Sequence, residues 1–272
     1  MIRPILKWMG GKTRVLPELL KVFPEADCFV EPFVGAGSIF LNTNYPNYIL
    51  SDTNPDLIEL LTCAKENPEK LILETAALFE KGNDRALYMK RRDLFNEHTT
   101  TGKPMPYRAA MFLYLTRHGY NGMCRYNQSG GFNVPFGAHP DGAYFPEEEI
   151  RQWAKRCSEC NVELICADFR TVLENCPPNA LIYADPPYIP LSDTSKHAQY
   201  HKKEFSQADH RELAKLLLQQ AANGNKVVLS NADTLLTRDI YYGFTWREIQ
   251  VGRNMAADAS KRGSVGELIG TL

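Results

Sequence analysis

Residues 180–188 read Ala-Leu-Ile-Tyr-Ala-Asp-Pro-Pro-Tyr, an apolar run that meets a carboxylate, two prolines and an aromatic ring. A short apolar run closed by proline is the mark of a buried strand ending at the edge of its sheet. Asp185 precedes a proline, which holds its own backbone extended. Pro186 and Pro187 each have a restricted φ and no N–H to donate. The product is a stiff turn that offers a carboxylate, free carbonyls and the ring of Tyr188 in fixed relation. Such a turn suits a flat molecule bearing an amine, with the acid and a carbonyl accepting its two hydrogens and the ring stacking on its plane. A bare Pro-Pro turn with Asp185 as a solvated cap is the plainer alternative, so the rest of the chain has to decide.

Other strands end in the same way. Cys28-Phe29-Val30-Glu31 leads into Pro32-Phe33-Val34-Gly35-Ala36-Gly37-Ser38, a strand followed by a Gly-x-Gly turn, beyond which the pattern predicts a helix. Glycines there let a ligand approach the backbone closely, and a helix N-terminus would add donors. A dinucleotide fingerprint needs a third glycine where Phe40 stands, which disfavours a nicotinamide cofactor. Tyr48-Ile49-Leu50-Ser51-Asp52 is a second strand closed by an acid, positioned to accept from both hydroxyls of a ribose. Val162 to Asp168 is a third, and Lys226 to Ser230 and a pair near 245–251 and 265–269 add more strands. Near the N-terminus, Gly11-Lys12-Thr13 imitates a phosphate loop, but that motif needs a glycine where Leu6 stands. Trp8 beside two glycines and Lys12 instead suggests a small lid whose indole faces a purine or a cation.

Between these strands the chain changes character. Asn54-Pro55-Asp56 is a helix cap with proline in the first turn, and residues 55–118 read as several helices, the last near 107–117. Residues 119–137 are rich in Asn, Arg and Tyr, with Gln128 to Gly131 as a turn between two short arms, so a hairpin is expected. A hairpin can enter the major groove of DNA, where an arginine such as Arg125 reads guanine. The formal charge of the whole chain is −1, yet from Arg85 to Arg125 eight basic residues face two acids. Such a local excess is a candidate phosphate footprint or an ordinary solvated helix face. A helix from Glu147 returns the chain to the sheet, and residues 191–204 are polar and charged, as a flap over a site would be.

Arg3 and Lys7 interrupt the one apolar start, no run approaches the roughly 20 residues of a membrane span, and seven scattered cysteines suit reduced thiols. A cytoplasmic protein without a membrane segment is expected. Cys157 and Cys160 form a lone C-x-x-C without companions, so no metal site is expected there.

Several of these segments fall into one pattern: Leu-Lys-Trp-x-Gly-Gly-Lys at 6–12, Val-Glu-Pro-Phe-Val-Gly-Ala-Gly-Ser at 30–38 and Tyr-Ile-Leu-x-Asp at 48–52. Gly-Tyr-Asn-Gly-x-Cys-Arg-Tyr-Asn at 119–127, Phe-Asn-Val-Pro-Phe-Gly at 132–137 and Asp-Pro-Pro-Tyr at 185–188 follow in order. In these the chain resembles DNA adenine-N6 methyltransferases of the Dam type, which methylate GATC. The resemblance implies an α/β fold, a Rossmann-like S-adenosylmethionine-dependent methyltransferase sheet with an inserted helical and β-hairpin DNA-recognition domain. Residues 1–56 and 145–272 would form the catalytic domain and 57–144 the recognition domain, with its hairpin at about 119–137. It implies S-adenosylmethionine held by Trp8, Gly11, Lys12, Phe33, Gly35, Ala36, Gly37, Asp52, Asp168 and Asp185, and catalysis at Asp185, Pro186, Pro187 and Tyr188. It implies double-stranded DNA as partner, contacted by Lys7, Tyr120, Asn121, Met123, Arg125, Asn127 and Pro135, with no obligate protein partner. The family carries Leu where Met123 stands, a change that keeps an apolar contact to a thymine methyl. Related glutamine methyltransferases have Asn at the position of Asp185 and would lack the Arg125 hairpin.

Overall fold

A computed structural model describes residues 1–80, 83–98, 105–189, 205–252 and 264–272. The expected flap at 191–204 lies outside these residues. Seven strands form one sheet: β1 (Cys28–Glu31), β2 (Asn47–Asp52), β3 (Asn161–Cys166), β4 (Ala180–Ala184), β5 (Lys226–Ala232), β6 (Thr245–Gly252) and β7 (Ser264–Thr271). Their spatial order is β3-β2-β1-β4-β5-β7-β6. The first five run parallel, and β7 is antiparallel to both β5 and β6. The order reverses between β1 and β4, and in sheets of this kind ligands bind beyond the carboxyl ends of the strands at such a reversal.

Every residue of β1 and β4 is buried, as strands covered on both faces must be. Their side chains alternate between two cores. Phe29, Leu181 and Tyr183 face one cluster, and Val30, Ile182 and Ala184 the other.

The helices are α1 (Leu16–Leu20), α2 (Pro55–Glu66), α3 (Pro68–Phe79), α4 (Arg85–Glu97), α5 (Pro106–His118), α6 (Glu147–Ser158), α7 (Phe169–Glu174), α8 (Gln207–Ala222) and α9 (Leu235–Ile240). Asn54 caps α2 through its side-chain oxygen, which accepts from Asp56 N–H at 3.0 Å and Leu57 N–H at 3.2 Å. Ser206 and Asp209 form a reciprocal capping box at the start of α8. From Ala109 to Thr116, α5 is buried on every side, because α2, α3 and α4 all pack around it. The insertion between β2 and β3 shares a single apolar cluster with one face of the sheet. No helix among the described residues is long and apolar enough to cross a membrane.

One expected element is absent. Beyond the Gly-x-Gly turn stands only a 3-10 turn, Phe40–Asn42, where a helix was predicted. Asn42 Nδ2 donates to the Ser38 carbonyl and Thr43 Oγ1 donates to the Ile39 carbonyl. These side chains take the acceptors that the N–H groups of a continuing α-helix would use, so the helix stops after one turn. Any ligand at this turn therefore meets the backbone of the turn itself, without a helix behind it.

Candidate active site

Parallel strands place their carboxyl ends on one edge, so the acids that close them collect there. Glu31 ends β1, Asp52 ends β2, Asp168 follows β3 and Asp185 follows β4. Antiparallel β7 brings Glu267 to the same edge, opposite Ala232 at the end of β5. Glu31 and Glu267 were not singled out from sequence. Glu31 carries the same signal as Asp52, an acid at a strand end, whereas Glu267 sits mid-strand in β7 and has no local signature.

Lys12 is the hub. Its Nζ lies 2.7 Å from Asp185 Oδ2, 2.7 Å from the Gly10 carbonyl and 3.9 Å from Glu267 Oε1. It also stands over the Tyr188 ring, 4.7 Å from its centroid. The Tyr188 hydroxyl donates to Glu267 Oε1. Burial pushes the Asp185 carboxyl up to about 6, with Lys12 pulling it down and Glu267 adding to the rise. Burial raises Glu31 well above the usual carboxylate range, and the charge of Asp185 adds to it. Two carboxylate oxygens at this edge, Asp185 Oδ1 and Glu31 Oε2, are buried without a hydrogen-bond partner. A buried acceptor left unpaired is costly, and these two are the positions where a donor or cation from a ligand is best received.

The glycine turn is built tightly. Gly35 and Gly37 have φ of +49° and +71°, a conformation that L side chains seldom adopt. Asp52 pins the turn, accepting from Gly35 N–H at 3.2 Å and from Asn54 N–H at 2.9 Å. A Cβ on Gly35 would fall 2.9 Å from Cδ1 of Trp8, whose indole lies against the turn. A Cβ on Gly37 would fall 2.4 Å from the buried ring of Trp153, so packing demands this glycine whatever a ligand requires. Phe33 stacks on Phe169 at a centroid distance of 5.7 Å. Asp168 stands on the edge, where its Oδ1 caps α7 through Arg170 N–H and pairs with the Arg170 guanidinium at 2.9 Å while the side chain stays 44% exposed.

The expected hairpin is present as an antiparallel pair of arms with bridges Tyr126–Phe132 and Gly119–Phe136. Alternation sorts its residues. Cys124 and Tyr126 turn inward, the Tyr126 hydroxyl donating to Asp56 Oδ2 at 2.6 Å, while Phe132 packs on Phe95 and Phe112. Arg125 lies on the other face, where its Nε and Nη2 donate to the side-chain and main-chain carbonyls of Asn133 at 2.8 and 3.0 Å. Lys7 is brought beside the Tyr120–Gly122 turn, its Cβ 3.3 Å from where a Cβ on Gly122 would stand. Tyr120, Asn121 and Pro135 are exposed and Met123 partly so. Asn127 is exposed, with its Oδ1 accepting from Gly131 N–H and Ser129 Oγ in the hairpin turn, both at 2.8 Å.

Part of the basic excess is internal. Arg108 is buried between Asp56 (2.8 Å) and Glu59 (2.5 Å), and Arg91 is buried against the Leu78 carbonyl and the Tyr114 ring. Arg117 donates to the Ile5 carbonyl, whereas Arg85 and Lys90 are exposed. Charges committed to buried pairs are not available to phosphate, so the surface footprint is smaller than the composition suggested.

The family described as D12 class N6 adenine-specific DNA methyltransferase matches residues 8–255. The DNA adenine methylase of Haemophilus influenzae is 41% identical over 271 residues, covering 98% of this chain and 92% of the relative. That of Serratia marcescens is also 41% identical, with 98% and 97% covered. A retron Ec67 DNA adenine methylase of Escherichia coli is 38% identical, with 97% and 90% covered. On a match of this extent, the chain belongs to the D12 class of N6 adenine-specific DNA methyltransferases.

Proposed function

We propose that this enzyme moves a methyl group from S-adenosylmethionine to N6 of adenine in GATC of double-stranded DNA, after the base has left the helix. The observation that carries this reading is the turn after β4. An unpartnered, buried Asp185 Oδ1 stands beside a part-buried tyrosine ring and two prolines that cannot donate. The family's activity requires a methyl donor, and the chemistry of this edge fits S-adenosylmethionine. That molecule carries a sulfonium, an ammonium and two ribose hydroxyls. The unpartnered buried oxygens of Glu31 and Asp185, the Asp52 carboxylate at the end of β2 and the rings of Trp8 and Phe33 are groups of the kind that would receive them. Trp8, Gly11, Lys12, the Phe33–Gly37 turn, Asp52, Asp168 and Asp185 would hold it. When bound, it supplies a methyl group already activated by positive sulfur.

The chain's own residues do the rest. The adenine amine is a poor nucleophile because its lone pair is delocalised into the ring. Asp185 Oδ1 and the Pro186 carbonyl accept its two hydrogens and turn the lone pair toward the donor. Lys12 on Oδ2 keeps the buried Asp185 ionised, which leaves Oδ1 basic enough to take up the proton that N6 must shed. Tyr188 stacks on the base, a contact of about 1–3 kcal/mol. Fixing the reactants in place supplies about 7–11 kcal/mol of the barrier reduction. The target cannot be reached inside a duplex, so it is turned out, with exposed Tyr120 or Asn121 filling the gap. The segment 57–144 acts as the recognition domain, with Lys7, Tyr120, Asn121, Met123, Arg125, Asn127 and Pro135 facing the DNA.

The test is incubation with labelled S-adenosylmethionine and duplexes that differ from GATC by one base pair. Label should enter the GATC duplex and fall away with each change. If GATC sites stay open to a nuclease that cuts only unmodified DNA, with donor in excess, the reading is wrong.

A further inference from the structure

Glu267 lies 79 residues beyond Tyr188 and on a different strand, yet its carboxylate receives the Tyr188 hydroxyl and stands 3.9 Å from Lys12. β7 is hydrogen-bonded on both sides, Glu267 pairing with Ala232 of β5 and Ile249 of β6, so the backbone that carries this acid is fixed. Its side chain is only 13% exposed. A carboxylate so placed is tolerated when partners satisfy it, and here those partners are the ring of the catalytic turn and the lysine shared with Asp185.

We propose that Glu267 is a positioning residue for methyl transfer: it anchors the Tyr188 ring through its hydroxyl and shares Lys12 with Asp185. The inference rests on the reading of Asp185 and Tyr188 given above. Tyr188 sits on a turn outside the sheet, where two side-chain torsions would otherwise let its ring swing. Tying the far end of the ring to β7 sets the plane on which the base stacks. The hydroxyl that Glu267 receives also lies close enough to Asp185 to pull that carboxyl down, so its loss and the loss of Glu267 should act largely through the same contact. Lys12, held between the two acids, fixes the distance between the ring and Asp185.

The experiment compares Glu267→Ala, Glu267→Gln, Tyr188→Phe and the double variant Tyr188→Phe with Glu267→Ala in the full-length enzyme. kcat and KM for a GATC duplex are measured, and folding is checked by thermal melting. A hydrogen bond to a charged acceptor of this kind is worth roughly a ten- to hundredfold change in rate. Glu267→Ala and Tyr188→Phe should each lower kcat by that factor with KM for DNA nearly unchanged, and the double variant should be no worse than either. Glu267→Gln keeps an acceptor for the hydroxyl and should recover most of kcat. Wild-type kcat in Glu267→Ala, equal losses in the Gln and Ala variants, or multiplying losses in the double variant would overturn the inference. Normal turnover in Asp185→Asn would instead remove the reading beneath it.

Discussion

Replacing Asp185 by Asn should make the protein more stable and nearly inactive. Asn has the shape and hydrogen-bonding character of the protonated acid, so the cost of the charge can be read from the acidity of the group. Burial raises Asp185 from the ordinary 3.8 to about 6, even with Lys12 2.7 Å away. That gap corresponds to about 3 kcal/mol against the ionised form in the folded protein. The side chain is 16% exposed, so solvent screens little of it. Below pH 3.8 both folded and unfolded chains hold the proton and the penalty vanishes. As pH rises toward 6 the unfolded chain loses its proton first, and the folded state loses stability relative to it. Above 6 the penalty is complete. Urea unfolding of Asp185→Asn should therefore show a gain of about 3 kcal/mol at pH 8 and about half that at pH 5. Methyl transfer, read as tritium incorporation, should fall by at least about a hundredfold if Asp185 is the proposed acceptor of the amine hydrogens. A variant no more stable than wild type at pH 8, or one with the same gain at both pH values, would refute the reasoning.

In the wild-type enzyme, protonation of Asp185 below about 6 should cut kcat about tenfold per pH unit, and a flat profile from pH 5 to 8 would contradict its role. Arg125→Ala should cost about 1–3 kcal/mol at one G·C pair and relax specificity there; an equal loss on every duplex would make Arg125 a phosphate contact instead. Gly37→Ala should destabilise the fold by about 2–4 kcal/mol, since its methyl would fall 2.4 Å from Trp153 at a φ of +71°, and a melt indistinguishable from wild type would count against that packing.

Much of this molecule is written locally. The buried run at 180–184, the Asn54-Pro55 start of α2 and the turn at 185–188 follow from short-range constraints: proline stereochemistry, side-chain capping and two-residue alternation. Their consequences appear wherever such residues stand. The hairpin at 119–137 was legible for the same reason, as was the set of acids that close strands. The helix expected after Gly37 failed on a competition that pattern alone does not weigh, in which Asn42 and Thr43 take carbonyls that the backbone would otherwise use. The inward fate of Arg91 and Arg108 depended on which face of each helix met the core.

The cluster of Lys12, Glu31, Asp185, Tyr188 and Glu267 belongs to tertiary structure alone. Lys12 and Asp185 are far apart in the chain, and Glu267 comes from a strand that runs against its neighbours. Strand order and direction decide which ends share an edge, and that order is set by how whole layers bury their apolar faces. Lys12, Asp185 and Tyr188 were therefore readable one at a time and Glu267 was not, while the pairing of Lys12 with Asp185 and of Tyr188 with Glu267 came into being only when the sheet brought those ends together.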